Sequence, residues 1–172
     1  MASQPIASVS GVRGVIGDSL TPEIVVPFVR AFAATIQGKK VVVGSDSRPS
    51  RSWIVPMVEA ALIASGKEVY SLGIVPTPTV GMQIRRMKAA GGIVITASHN
   101  PIIYNGLKFF HSGGEFFTEA DNARLQKIKT DEAWLNPDVM GIGKRIEVTD
   151  AIDWHIDAVM KSLGAAAQAA PV

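Results

Sequence analysis

The chain contains no cysteine, which removes disulfides, thiolate metal sites and cysteine nucleophiles together and fits a reducing compartment. Aromatic residues are scarce at 6%, and no run of about 18 apolar residues occurs, so no membrane-spanning helix is expected. The first residues lack a basic region followed by a long apolar stretch, so a secretory signal is not expected either. Charge of one sign is also missing. Seventeen basic and fifteen acidic side chains leave a net +2, without the polyelectrolyte surface that nucleic acid demands. These absences point to a cytoplasmic protein with neither a membrane nor a nucleic acid as partner. What the 172 residues do have is 47% hydrophobic content, enough for one substantial core.

Alternating elements follow along the chain, with no repeat of 20 to 50 residues. Thr21-Pro22-Glu23 is a cap, a first-turn proline and a dipole-compatible acid, predicting a helix with Ile24, Phe28, Val29 and Phe32 on one face and a stop near Gly38. The β-branched run Val41-Val42-Val43 predicts a strand. Ser50 or Ser52 then caps a helix ending at Gly66, and residues 68–72 are extended. Thr77-Pro78 opens a third helix through Lys88, and Gly91-Gly92 precedes the buried strand Ile93-Val94-Ile95. Residues 107–110 and 115–117 flank His111-Ser112-Gly113-Gly114 as a hairpin, and Thr118 with Asp121 resembles a capping box. Residues 146–148 and a helix over 151–163 come last, before a mostly alanine tail, 164–172, read as a frayed end or linker. The fold class expected is a three-layer α/β/α domain with a mostly parallel mixed sheet over residues 1–148, followed by a helix and tail over 149–172 that begin a linker or another domain.

Ligands of open parallel sheets bind at the carboxyl ends of the strands. Three loops fall there: Gly44-Ser45-Asp46-Ser47-Arg48-Pro49-Ser50, residues 73–79, and Thr96-Ala97-Ser98-His99-Asn100-Pro101 with its continuation Tyr104-Asn105-Gly106-Leu107-Lys108. The third presents a hydroxyl, an imidazole and a carboxamide in succession. Ser98 there is either a nucleophile or phosphoryl carrier, or part of a turn that satisfies its own backbone. A phosphoserine needs cationic and amide partners, which Lys108, Arg13 and backbone N–H groups can supply. Other motifs are absent: no G-x-x-x-x-G-K-S/T loop, no G-x-S-x-G elbow and no H-E-x-x-H. Gly11, Gly14 and Gly17 lack dinucleotide-fingerprint spacing and read as a flexible turn around Arg13. Ser98 and His99 are neighbours in sequence, which directs their side chains apart and argues against a hydrolase dyad. Asp150, Asp153 and Asp157 read as a solvated helix face, and His111 and His155 as surface or packing residues.

The third loop closely resembles the phosphoserine loop of the α-D-phosphohexomutases, the family of phosphoglucomutase, phosphomannomutase and phosphoglucosamine mutase. Ser10-Gly11-Val12-Arg13-Gly14 resembles the family's N-terminal arginine motif, Gly44-Ser45-Asp46-Ser47-Arg48 its G-x-D-x-R segment, and Pro76-Thr77-Pro78 its T-P turn. Val9-Ser10 departs from the aromatic or Phe-Gly-Thr sequence many relatives carry. The resemblance implies a relay in which phospho-Ser98 donates to a hexose 1- or 6-phosphate, the hexose 1,6-bisphosphate reorients, and the other phosphate returns to Ser98. It also implies Mg²⁺ on a phosphoryl oxygen of Ser98, with Arg13 and Lys108 flanking that phosphate and His99 as general acid or base, or alternatively a loop brace. Asn100 and Asn105 read as loop architecture, and Arg48 as a source of positive potential or a tie between loops, the latter preferred. The family's metal loop, sugar loop and second phosphate loop are expected from three further domains, so the isolated chain is expected to be inactive. A non-catalytic sugar-phosphate-binding or interaction module of the same fold, and an unrelated hydrolase using Ser98, are the alternatives.

Overall fold

A computed structural model describes residues 5–8, 11–134 and 136–168. Its elements in chain order are β1 (Ile6–Ser8), β2 (Gly11–Val15), α1 (Pro22–Thr35), β3 (Lys40–Ser45), α2 (Arg51–Ala64), β4 (Glu68–Ile74), α3 (Thr77–Met87), β5 (Gly91–Ile95), β6 (Tyr104–His111), α4 (Glu119–Thr130), β7 (Lys144–Glu147) and α5 (Ala151–Gln168). The strands form one sheet in the order β1-β2-β6-β5-β3-β4-β7. β3 pairs in parallel with both β4 and β5, and β4 with β7, whereas β1–β2, β2–β6 and β6–β5 are antiparallel. The sheet is therefore mixed, as expected, with β6, β2 and β1 forming an antiparallel extension beyond β5.

Two apolar layers clamp this sheet. On one side, Phe28, Val29 and Phe32 of α1, Ile54, Val58 and Leu62 of α2 and Leu125 of α4 pack on Val41, Val43, Ile93, Ile95, Leu107 and Phe109. The rings of Phe32, Phe109 and Phe117 meet at centroid distances of 5.3 to 5.8 Å, the spacing at which aromatic pairs attract. On the other, Val80 and Ile84 of α3 and Ala151 of α5 pack on Val42, Val94 and Phe110. Strands that alternate sides at every residue deliver Val42 and Val94 to one layer and Val41, Val43, Ile93 and Ile95 to the other. This is the three-layer α/β/α arrangement.

The helices start where the sequence signals put them, but Thr21 and Ser50 make no side-chain cap bond, Ser50 Oγ accepting from Asn105 instead, and Thr77 is the first residue of α3 with Pro76 at its cap. α1 begins at Pro22 with Thr21 extended before it, and α4 begins with a full capping box: Asp121 N–H donates to Thr118 Oγ1 at 3.2 Å and Thr118 N–H to Asp121 Oδ2 at 2.9 Å. Burial raises the Asp121 carboxyl, but the Thr118 N–H and hydroxyl it accepts from outweigh that and hold it below the ordinary aspartate range.

Four expectations need correction. The glycine turn around Arg13 is strand β2: Gly11, at φ +145°, lies against β6 where a Cβ would run into the Leu107 carbonyl oxygen. The hairpin over 107–117 has a long first arm, β6, and only a single bridge, Phe110 to Phe116, in place of a second strand. Of the tail, residues 164–168 continue α5, so it is not frayed there; 169–172 lie outside the described residues, as do Val9 and Ser10. Finally, the antiparallel pairings equal the parallel ones in number, because β2 and β1 extend the edge that was expected to be one hairpin. β7 joins the sheet beside β4, and α5 lies against α3.

Candidate functional site

Strands β3 and β5 end side by side, and their two exit loops meet. The β5 exit starts with Thr96, whose hydroxyl accepts the Ser98 N–H at 3.0 Å, and Ser98 then adopts a left-handed backbone with φ +57°. A non-glycine residue in this region is uncommon and costs on the order of 1 kcal/mol or more, so the surroundings must hold it. Asn100 Nδ2 donates to the Ala97 carbonyl at 2.7 Å and its N–H to the same oxygen at 3.1 Å, tightening the turn. Asn105, fully buried, ties the far end: its Nδ2 donates to Ser50 Oγ at 2.8 Å and its Oδ1 accepts from Gly106 N–H at 2.8 Å. Both asparagines build the loop, as expected.

Arg48, from the β3 exit, reaches into the same loop. It donates to the carbonyls of Ser98, Asn100, Pro101 and Tyr104 and is held by Asp46 at 3.1 Å. Of its two sequence readings, the tie between loops is the one its contacts match.

The left-handed turn has an effect on side chains that neighbour logic missed. Ser98 Oγ lies 3.4 Å from His99 Nδ1, close enough to exchange a proton through modest adjustment. Sequence adjacency normally separates two side chains; a positive φ at the first of them undoes that. No carboxylate bonds to His99 among the described residues, so the pair lacks the orienting third member of a hydrolase triad.

Ser98 stands between two depressions. One, of about 350 Å³, is lined by Arg13, Ser98, His99, Lys108, Ile6 and Thr96 among others. The sheet explains this grouping: Ile6 pairs with Arg13, Arg13 with Gly106, and Gly11 with Lys108, so these side chains share one face of β1, β2 and β6. Gly106 has no side chain to fill the space, and a Cβ there would meet the Val12 carbonyl oxygen at 2.5 Å. Lys108 places its ammonium 5.2 Å from the Phe116 ring centroid. Arg13 has a buried Nε without a hydrogen-bond partner. No carboxylate pairs with either cation among the described residues. Two unneutralised cations beside a hydroxyl make a receptor for an anion. The second depression, on the other side of the loop, is lined by Asp46, Arg48, Ser98, Asn100 and Ile102.

All four residues singled out in the sequence, Arg13, Ser98, His99 and Lys108, therefore line one pocket. A family model described as phosphoglucomutase/phosphomannomutase, alpha/beta/alpha domain I, matches residues 5–135. The chain belongs to this family. Among curated relatives, the phosphoglucosamine mutase of Caldanaerobacter subterraneus subsp. tengcongensis is 42% identical over 142 residues, covering 80% of this chain and 32% of that protein. The probable phosphoglucosamine mutase of Pyrococcus abyssi is 34% identical over 154 residues, covering 90% of this chain and 34% of its own length. Among solved structures, a putative phosphomannomutase from Thermus thermophilus superposes with a TM-score of 0.76 at 27% identity, over 93% of this chain and 37% of that one. The chain thus spans about a third of the length of the curated phosphohexomutases it matches.

Of the metal that the family resemblance implied, this domain offers little. Magnesium takes about six oxygen ligands in near-octahedral geometry. Among the described residues no three His, Asp or Glu side chains converge, and Asp46, the carboxylate that shares a depression with Ser98, is bound to Arg48. Ser98 can contribute one ligand oxygen, but these residues do not build a magnesium site by themselves. No helix among the described residues is long and apolar enough to cross a membrane. His111 and His155 contact Glu115 and Thr79 respectively, and Asp150 pairs with Arg86, all away from the Ser98 pocket. That pairing holds the Asp150 carboxyl below the ordinary aspartate range.

Proposed function

We propose that this chain is the phosphoryl-carrying domain of a phosphohexomutase, with Ser98 as the carrier. The observation that supports it most is the shared pocket: a serine hydroxyl on a strained backbone, facing a space with two cations, Arg13 and Lys108, that no carboxylate among the described residues neutralises. In the proposed half-reaction the bond from phosphorus to Ser98 Oγ breaks as a bond forms to a hydroxyl of hexose 1- or 6-phosphate. The sugar hydroxyl loses its proton and Ser98 Oγ gains one, with His99 Nδ1 as its neighbour for that exchange. The resulting hexose 1,6-bisphosphate reorients, and its other phosphate returns to Ser98. Arg13 and Lys108 hold the negative charge throughout, which positions the group and stabilises the charge that spreads over its oxygens. Ser98 would offer at most one oxygen to a Mg²⁺ ion whose other ligands come from outside these residues, and such an ion would supply Lewis-acid neutralisation of the phosphoryl charge.

The reading extends to partners. The chain matches about a third of the curated relatives' length, and the sugar-recognition surface is proposed to come from three further domains, with the boundary of this one after Val148 and residues 149–172 leading onward. Cytoplasmic location goes with this reading. Phosphate-ester chemistry needs accelerations of up to about 10²¹, and each lost electrostatic donor costs about 10² to 10³, so the isolated 172 residues are proposed not to turn over.

Peptide mass mapping after incubation with Mg²⁺ and a hexose 1,6-bisphosphate tests the carrier. The expected result is a phosphoryl group on the peptide containing Ser98, absent from Ser98→Ala. A phosphate on another residue would sink the assignment; none on the isolated chain, which is proposed not to turn over, calls for the same mapping on the protein with its further domains, where an unmodified Ser98 would sink it.

A further inference from the structure

Arg48 has five N–H donors, the full complement of a guanidinium, and the structure accounts for each of them. Nε donates to Asp46 Oδ2 at 3.1 Å. Nη1 donates to the Pro101 carbonyl at 2.8 Å and the Tyr104 carbonyl at 3.1 Å. Nη2 donates to the Ser98 carbonyl at 2.9 Å and the Asn100 carbonyl at 2.6 Å. Asp46 is fixed in turn: its N–H donates to the Ile95 carbonyl at 3.0 Å, and its Oδ1 accepts the Arg48 N–H at 3.1 Å. With its side chain only 13% exposed, the cation sits inside a ring of carbonyl oxygens drawn from one loop.

Four carbonyls turned toward one point cannot arise from an unrestrained loop, since their dipoles repel without a cation between them. The grip includes the carbonyl of Ser98 itself, the residue whose left-handed backbone needs holding. We infer that Arg48 is a positioning residue, a clamp that fixes the 98–104 loop and keeps Ser98 in its left-handed conformation, with no donor left for phosphate. Its purpose rests on the carrier reading above; the clamp itself does not. Lysine is no substitute, because an ammonium has three donors and no planar fork, and so leaves at least two of the five acceptors unmet.

The test uses the 172-residue chain as wild type, Arg48→Lys and Asp46→Asn, with two readouts. The first is segment-resolved amide hydrogen exchange. The clamp predicts exchange over residues 98–104 faster by about tenfold or more in Arg48→Lys, with β3 and β5 protected as in wild type. The second is the initial rate of phosphoryl incorporation at Ser98 over a series of hexose 1,6-bisphosphate concentrations. A misplaced carrier loses about 100-fold in maximal rate while the half-saturating concentration moves by less than about threefold. Asp46→Asn, which leaves the four carbonyl contacts in place, is expected to fall between the two and serves if Arg48→Lys does not fold. Unchanged exchange over 98–104 in both variants overturns the clamp. So does a raised half-saturating concentration at unchanged maximal rate, which makes Arg48 a phosphate ligand, or a loss of protection throughout the sheet, which makes it a folding residue. If the wild-type chain takes up no phosphoryl group, as its proposed lack of turnover allows, the exchange arm alone decides the clamp.

Discussion

β3 and β5, in the parallel part of the sheet, are buried along nearly their whole length, whereas β2 and β6 mix buried residues with half-exposed ones such as Arg13 and Lys108. The cause is coverage. α3 packs across β3 and β5 on the face opposite α1 and α2, so both sides of those strands are dry: Val41, Val43, Ile93 and Ile95 fill one side and Val42 and Val94 the other. The same face of β2 and β6 carries Arg13 and Lys108 and lines the pocket at Ser98. One half of the sheet is thus a core element, and the other is core on one side and chemistry on the other. Ser98 sits at the seam, on the loop that leaves the buried half and enters the half-open one.

The largest expected effect would show whether the two halves stand or fall together. Phe32 stacks on Phe109 of β6 and touches Phe117 while α1 covers the parallel strands. Phe32→Ala is expected to destabilise the protein by about 3–5 kcal/mol in a single denaturant transition. A two-step curve, with β2 and β6 melting before β3 and β5, would break the picture of one sheet with two functions.

A smaller effect sharpens the contrast between core and chemistry. Arg13→Met removes a guanidinium whose buried Nε has no partner, so thermal stability is expected to stay within about 0.5 kcal/mol or rise, while phosphoryl incorporation at Ser98 falls about 10²- to 10³-fold. A melting temperature lowered as much as by a core truncation would place Arg13 in the scaffold.

The smallest lies at α4, whose single fully buried side chain is Leu125. Thr118→Ala removes one side of the capping box and should cost about 1 kcal/mol, read from chemical denaturation. The Asp121 carboxyl is depressed in the folded state, so its contribution is complete above the unfolded aspartate value of about 3.9 and fades as pH falls through the depressed folded value. The difference between wild type and Thr118→Ala should therefore shrink below about pH 4. A difference that stays constant to lower pH would remove the carboxyl from the account.

The same division governs what could be read from sequence. The parallel part was legible because its cues are local: Val41-Val42-Val43 and Ile93-Val94-Ile95 are continuous apolar runs, and Thr21-Pro22, Thr77-Pro78 and Thr118 with Asp121 mark helix starts. β2 was not, because two of its five residues are glycines whose reasons lie in backbone they meet only in the fold: Gly11 against Leu107 of β6, far along the chain, and Gly14 against the Ser19–Leu20 backbone. The pocket residues were identifiable as types in a dense polar loop, and the structure gathers them in one place. The Ser98–His99 approach was misjudged because it depends on a positive φ that serine does not announce. Arg48 could be read as a tie between loops, but its ring of carbonyls lies some fifty residues along the chain and has no side-chain signature.

The left-handed backbone at Ser98 also restricts which alcohol can stand there. Threonine carries an equivalent hydroxyl, but its branched Cβ is a poor fit to φ +57°, where bulky and branched residues are outliers. Glycine suits the backbone and has no hydroxyl. Between a residue the conformation disfavours and one the chemistry cannot use, serine is left as the side chain that meets both demands.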